Sequence, residues 1–143
     1  AAKERELENI VFFFLYKQEM VSDVYSACSV CFIPLKKGII GNSVPSKAGL
    51  LMACKRAIVT SVDKNSDYYN IINKYAGIAA ENDSPDEIVR AILYMKNNRD
   101  VCTVYGISGY EYGHELYSRS NNMKIYLELF EQCAVTAKQN IYK

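Results

Sequence analysis

Short apolar runs alternate along the first two thirds of the chain with segments in which apolar side chains recur every three to four residues. Four runs are rich in β-branched, aromatic or small apolar residues, which predicts buried strands. They cover residues 9–14, 29–34, 56–61 and 77–80. Continuous apolar strands that alternate with helices predict an α/β fold with a parallel sheet of about four strands and helices on both faces.

Helices are predicted between the strands and throughout the C-terminal part of the chain. The clearest start is Ser84-Pro85-Asp86-Glu87, because it combines a capping serine, proline at the first helical position and glutamate three residues after the serine. Ser46 is the expected N-cap of a short helix over residues 47–55. We find no repeat and no linker, and therefore expect one domain over residues 1–143, with C-terminal helices from about residue 99.

Composition excludes several classes of function. The chain has 143 residues, of which 50% are hydrophobic, and a formal net charge of +1. A balanced charge argues against a general electrostatic grip on nucleic acid. No apolar run approaches the roughly 20 residues of a membrane-spanning helix. No secretory signal is visible at the start, so we expect a cytoplasmic protein.

The five cysteines have irregular spacing, which is typical of reduced thiols. Cys28 and Cys31 form a C-x-x-C pair, but Cys31 falls within an apolar strand, which favours packing over redox chemistry. No second pair follows and His114 is the single histidine, so no metal site is expected. His114 lies far in sequence from the predicted loops and is interpreted as a structural or surface residue.

The loop over residues 36–47 is the strongest candidate for function. It joins a predicted strand to a predicted helix, at the sheet edge where ligands of such folds bind. Glycines allow close approach of the backbone, and the start of the helix adds free N–H groups and partial positive charge. Hydroxyls and lysines add donors and charge; the residues concerned are Lys36, Lys37, Gly38, Gly41, Ser43, Ser46 and Lys47. Spacing alone leaves two hypotheses open: a phosphate or pyrophosphate site, and a solvated loop with an ordinary helix cap.

The order of residues around this loop resembles the donor-binding segment of family 4 glycosyltransferases with the GT-B fold. A strand ends at Pro34, Gly41 follows, and Pro45-Ser46-Lys47 matches the helix start of the branch found in capsule and colanic-acid type transferases. Leu51-Met52-Ala53 is similar to the end of that helix. The resemblance extends to flanking segments at residues 9–12, 20–30, 77–86 and 109–118, and so covers almost the whole chain.

This resemblance implies a Rossmann-like, nucleotide-sugar-binding domain of a glycosyltransferase in polysaccharide biosynthesis. A sugar would pass from a UDP- or GDP-sugar donor to a polysaccharide or glycolipid acceptor. The donor would be bound by Gly41, Asn42, Ser43, Ser46 and Lys47, and Lys47 would stabilise the diphosphate leaving group. Residues 63–66, on the next loop, could approach the donor or serve as ordinary loop residues. The resemblance assigns no catalytic residue in this chain, no metal, and no cofactor besides the donor substrate.

Two positions depart from the family pattern. Many members have two glutamates eight residues apart, of which the first contacts the transferred sugar and the second the ribose hydroxyls. The corresponding residues are Asn42 and Leu50. An asparagine can hydrogen-bond a sugar, whereas a leucine cannot bind a diol. A non-catalytic binding or scaffold domain in polysaccharide assembly therefore stays as the alternative.

The resemblance also implies that parts of the family architecture are missing from this chain. GT-B enzymes have two Rossmann-like domains, and this chain corresponds to an N-terminally truncated, incomplete C-terminal domain without the acceptor domain. Two missing strands would lie between the strands at residues 9–14 and 29–34. We therefore expect exposed strand edges that pair with a second copy of the chain, or a rearranged sheet. The fragment alone is expected to be inactive, and the full-length protein to associate peripherally with the inner face of the membrane.

Overall fold

The structure is a computed structural model that describes residues 7–13, 17–40 and 43–141. Its described residues form one sheet of three parallel strands, in the order β1 (Val30–Pro34), β2 (Ala57–Ser61) and β3 (Gly77–Ala80). The predicted α/β fold with a parallel sheet is confirmed. Each of these strands matches a predicted one to within a residue.

The predicted strand at residues 9–14 is not present over residues 9–13, and Phe14 lies outside the described residues. The side chains of Val11, Phe12 and Phe13 are 70%, 63% and 71% exposed. An apolar run becomes a strand only when a neighbouring strand can satisfy its N–H and C=O groups. Among the described residues, β1 at the edge of the sheet pairs only with β2. The prediction of four strands is therefore wrong by one for this part of the chain.

Helices connect the strands and form the whole C-terminal part. The helices are α1 (Val21–Ala27), α2 (Ser46–Ala53), α3 (Asp67–Ile71), α4 (Pro85–Asn97), α5 (Arg99–Tyr117) and α6 (Arg119–Ile141). Helix α3 continues from Ile72 to Ala76 as a π-helical turn, and α1 is preceded by a short 3₁₀ turn, Gln18–Met20.

The sheet is covered on both faces, as predicted. Every residue of β2 is buried, and its side chains alternate between two hydrophobic clusters. Ile58 packs in the larger cluster with residues of α2 and α3, and Val59 packs in the smaller one with residues of α4 and α5. Full burial of one such side chain contributes about 1.5–3 kcal/mol. The central strand therefore anchors both layers.

Helix α5 packs closely against the backbone at the end of α2. A Cβ atom at Gly106 would lie 2.3 Å from the Lys55 carbonyl oxygen, so only glycine fits at this crossing. Farther along α5, Gly113 faces Met52 and Tyr117 faces Gly49. The two helices therefore run antiparallel, and the last turns of α5 lie beside the first turns of α2. None of the helices in the described part of the chain is both long and apolar enough to cross a membrane.

Candidate functional site

The loop between β1 and α2 lies at the carboxyl end of the sheet, as predicted. Gly38 has a φ of +75°, a left-handed conformation that glycine adopts without strain. Its N–H group donates a 2.8 Å hydrogen bond to Asp63 Oδ2 on the loop after β2. The glycine pattern alone suggested that this N–H group is free for a ligand. In the structure it is instead bonded to a carboxylate of the fold.

The start of α2 brings together three of the five predicted donor-binding residues, Ser43, Ser46 and Lys47. The other two, Gly41 and Asn42, lie outside the described residues. Ser43 closes a tight turn, because its hydroxyl donates a 2.6 Å hydrogen bond to the Ile40 carbonyl oxygen. Ser46 and Lys47 are exposed in the first turn of the helix. Within the described residues, the Lys47 ammonium has neither an ion pair nor a hydrogen bond.

The N-cap of α2 is Pro45 rather than the predicted Ser46. Pro45 has the extended conformation of an N-cap, with φ −60° and ψ 131°, and no side chain caps the helix. Ser46 is already helical, so its oxygen comes one position too late to accept from the N–H groups of the first turn. The Ala48 N–H group already donates a 2.9 Å hydrogen bond to the Pro45 carbonyl oxygen. Within the described residues, the N–H groups of Ser46 and Lys47 make no hydrogen bond, so these two groups and the positive end of the helix dipole are accessible to an anion.

A cavity of about 520 Å³ lies between α2 and α5, next to this helix start. We call it the α2–α5 cavity. Ser46, Gly49 and Leu50 line one wall, and Tyr110, His114 and Tyr117 line the other. Most of this surface is apolar, so the cavity can receive an uncharged part of a ligand whose anionic part lies at the helix start.

His114, interpreted from the sequence as a structural or surface residue, lies on the wall of this cavity. Its ring stacks on that of Tyr110, with 5.8 Å between the centroids and 20° between the planes. The glycine spacing of α5 was the signal that could have located it. Gly106, Gly109 and Gly113 form the face that packs against the core, which places the neighbouring His114 beside α2.

The second loop at the carboxyl end is occupied by contacts within the fold. Asp63 Oδ1 accepts a 3.1 Å hydrogen bond from the buried Asn82 side chain, on the loop after β3. Ser66 accepts from the Tyr69 N–H group and is the N-cap of α3. Asp63 and Ser66 therefore act as structural loop residues in these contacts, which is the simpler of the two interpretations of residues 63–66.

Charged side chains also connect this edge to α4. Lys64 Nζ lies 2.8 Å from a Glu81 carboxylate oxygen and 3.6 Å from one of Glu87. The bond to Glu81 raises the pKa of Lys64. Glu87 accepts a 2.9 Å hydrogen bond from the Glu81 N–H group, which lowers its pKa. Both changes favour the charged forms, so the edge keeps its ion pairs at neutral pH.

The cysteine pair has no feature of a reactive site. Cys28, Cys31, Cys54, Cys102 and Cys133 are free thiols. Burial, reinforced by the neighbouring Cys28, raises the pKa of Cys31 to about 12, so its thiolate is strongly disfavoured. This agrees with the packing role expected from its position in a strand.

The chain is similar to an uncharacterized glycosyltransferase of Methanocaldococcus jannaschii, with 29% identity over 92 residues. The match covers 64% of this chain and 23% of that protein, so the matched part spans about a quarter of the length of this relative. No protein-family model and no solved structure matches the chain. The comparisons therefore show a distant homology to a glycosyltransferase, and the described residues have a Rossmann-like α/β fold.

Proposed function

We propose that this chain binds the nucleoside-diphosphate sugar donor of a family 4 GT-B glycosyltransferase that works in polysaccharide biosynthesis. The observation that carries the proposal is the start of α2, which is uncapped by any side chain and presents Ser46 and Lys47 to solvent. It follows a glycine-containing loop at the carboxyl end of β1. This is the arrangement in which parallel sheets bind phosphates.

The chemistry would be the transfer of a glycosyl group, with the nucleoside diphosphate as leaving group. Negative charge that develops on the diphosphate would be stabilised by the N–H groups of Ser46 and Lys47 at the start of α2 and by the Lys47 ammonium. Gly41, Asn42 and Ser43 would complete the site, with the Asn42 amide on a sugar hydroxyl. The adjoining α2–α5 cavity would offer its apolar wall to an uncharged part of the donor. The acceptor would be bound by another domain of a longer protein.

Titration calorimetry with UDP, GDP and their sugars tests donor binding. We expect Lys47→Gln to weaken the binding of a diphosphate by roughly tenfold, which is about 1.4 kcal/mol. Lys124→Gln is the matched control, because it removes an exposed lysine of α6 that does not line the α2–α5 cavity. The proposal is wrong if no nucleotide binds, or if Lys47→Gln and the control bind a nucleotide as tightly as the wild-type chain.

Leu50 favours the alternative, a non-catalytic binding or scaffold domain. Its side chain is 52% exposed on the wall of the α2–α5 cavity, where the family pattern places a glutamate for the ribose hydroxyls. Leu50→Glu separates the two proposals. If this is a donor site that lacks only its ribose contact, the variant should bind UDP or GDP more tightly than the wild-type chain. Absence of binding by both chains favours the scaffold.

We further propose that the edge of the sheet pairs with a second copy of the chain. The support is that β1 is an edge strand among the described residues and that Phe32, within it, is 43% exposed. Sedimentation velocity should show a dimer for the wild-type chain and a monomer for Phe32→Glu. A wild-type chain that sediments as a monomer at all concentrations would overturn this proposal. Peripheral association of a longer protein with the inner face of the membrane also stays a proposal.

A further inference from the structure

A second open cavity lies at the amino end of the sheet, opposite the loop over residues 36–47. We call it the basic cavity. Its volume is about 910 Å³, and its walls come from the residues just before β1 and β2, the last turns of α4 and the first turns of α5. It shares no lining residue with the α2–α5 cavity. The proposed donor site therefore does not account for it.

The charge of this cavity has a single sign. Four of its lining residues are cationic, namely Lys55, Arg56, Lys96 and Arg99, and none is aspartate or glutamate. Within the described part of the chain, the side chains of Lys96 and Arg99 have neither an ion pair nor a hydrogen bond. Cations that face one cavity without acidic partners repel each other and create a positive potential, which an anion would relieve.

Arg56 is fixed in position by contacts within the fold. Its Nε donates a 2.8 Å hydrogen bond to the Cys54 carbonyl oxygen, and Nη1 donates to the carbonyl oxygens of Ser26 and Cys28 at 3.2 Å each. The Lys55 ammonium instead lies 4.7 Å from the centre of the Tyr110 ring, on the wall of the α2–α5 cavity. Binding of an anion beside the Arg56 guanidinium therefore costs less side-chain entropy than binding beside a freely moving side chain.

The first turn of α5 adds to the positive potential. Arg99, on the cavity wall, is the first residue of this helix, and its N-cap Asn98 makes no side-chain capping bond. The Asn98 side chain instead donates a 2.8 Å hydrogen bond to the Tyr94 carbonyl oxygen on α4. The partial charge at the start of the helix therefore reinforces the four side chains.

We propose that the basic cavity binds a phosphate-bearing anion. Arginine and lysine together suit an oxygen-rich anion with more than one acceptor, and the cavity is large enough for a diphosphate. Its rim also presents Ile92 and Ile107, which are 41% and 48% exposed. This chemistry fits a soluble oligophosphate, and it equally fits a lipid phosphate headgroup whose apolar part contacts the rim.

Two probes distinguish these sources. Inorganic pyrophosphate is titrated by calorimetry at low ionic strength, in the presence of saturating UDP or GDP if either binds at α2. Vesicles of phosphatidylcholine with and without phosphatidylglycerol are tested by co-sedimentation. Binding of pyrophosphate alone indicates a soluble phosphate, and binding to the anionic vesicles alone indicates a headgroup. The proposal is overturned if neither pyrophosphate nor the anionic vesicles bind.

The double variant Lys96→Gln/Arg99→Gln locates the site. We expect this variant to weaken the binding of pyrophosphate or of the anionic vesicles, whichever binds the wild-type chain, by roughly tenfold or more, because it removes the two unpaired cations. Arg119→Gln/Lys124→Gln removes the same two charges from exposed positions on α6 and is expected to change binding by less than about twofold. Equal weakening by both double variants, or by neither, would contradict the proposal. If the first double variant does not fold, its two single variants are compared with the same control.

Discussion

The two ends of the sheet are built in different ways. At the carboxyl end, side chains connect the loops: Asp63 accepts from Gly38 and Asn82, and Lys64 pairs with Glu81. At the amino end, backbone packs directly on backbone. A Cβ atom at Gly77 would lie 1.7 Å from the Ile58 carbonyl oxygen, and one at Gly106 would lie 2.3 Å from that of Lys55.

This difference shows where the fold tolerates change. Side-chain hydrogen bonds between loops can rearrange around a ligand at modest cost, whereas a backbone contact without a Cβ has no such freedom. The two ends of the sheet also differ in charge. At the carboxyl end Lys64 pairs with Glu81 and Glu87, and only the start of α2 presents an unpaired Lys47, whereas the basic cavity at the amino end is lined by cations and by no acid. The carboxyl end is thus adaptable and carries both signs of charge, and the amino end is rigid and positive.

The largest expected effect tests the rigidity of the amino end. Gly77 begins β3 with a φ of +159°, and alanine there would overlap the Ile58 carbonyl oxygen. We expect Gly77→Ala to lower the free energy of unfolding by more than about 4 kcal/mol, or to prevent folding. Circular dichroism during urea denaturation provides the measurement.

Gly38→Ala is the matched control at the carboxyl end. Gly38 has a φ of +75°, but no atom would meet its Cβ within 4 Å. The cost should therefore be limited to the left-handed conformation, about 1–2 kcal/mol. If both variants lose the same stability, the two ends do not differ as described.

The next effect concerns the hydrogen bonds between the carboxyl-end loops. Asp63→Ala removes the acceptor for the Gly38 N–H group and for the buried Asn82 amide. We expect a loss of about 1–3 kcal/mol, because a buried donor is left without a partner. Asp63→Asn retains one carbonyl oxygen and should lose less stability in the same urea denaturation experiment. An alanine variant as stable as the wild type would show that these bonds do not hold the loops.

A smaller effect of opposite sign is expected at Gly49, inside α2. A Cβ atom there would meet the Tyr117 ring at 3.6 Å, an ordinary contact distance. Gly49→Ala should therefore stabilise the chain by about 0.5–1 kcal/mol, through the lower backbone entropy of the unfolded state. A fall in melting temperature would instead show that α2 and α5 pack as tightly here as they do at Gly106.

The smallest effect concerns the ionic contacts of Glu87. Its pKa is lowered by the Glu81 N–H group first and by Lys64 second, so the carboxylate stabilises the fold at pH values above about 4.5. This contribution is lost as the pH falls through the pKa of the folded state. We expect melting temperatures from pH 7 to pH 3 to fall less steeply for Glu87→Gln than for the wild type. Identical slopes would show that the contact contributes nothing to acid stability.

The sequence located the three strands to within a residue because β2 and its neighbours are continuous apolar runs that only a doubly covered sheet can bury. It also located the loop at the carboxyl end of β1. It did not show that Gly38 would donate to Asp63, because the two residues are 25 positions apart and meet only when β1 and β2 pair. The same limit applies to His114, an exposed residue far in sequence from this loop, which lines the α2–α5 cavity only because α5 packs against α2.

What the sequence determined by itself was therefore local: the strand runs, the start of α4 at Pro85 and the position of the loop that carries Ser43, Ser46 and Lys47. Tertiary structure decided which local patterns became structure and which residues met. The run at residues 9–13 is as apolar as a strand, yet it is not part of the sheet, because a strand also needs a partner for its backbone groups. The four cationic residues that line the basic cavity come from two distant stretches of the chain, the one before β2 and the junction of α4 and α5, and only the packing of these helices against the amino ends of the strands brings them to one surface.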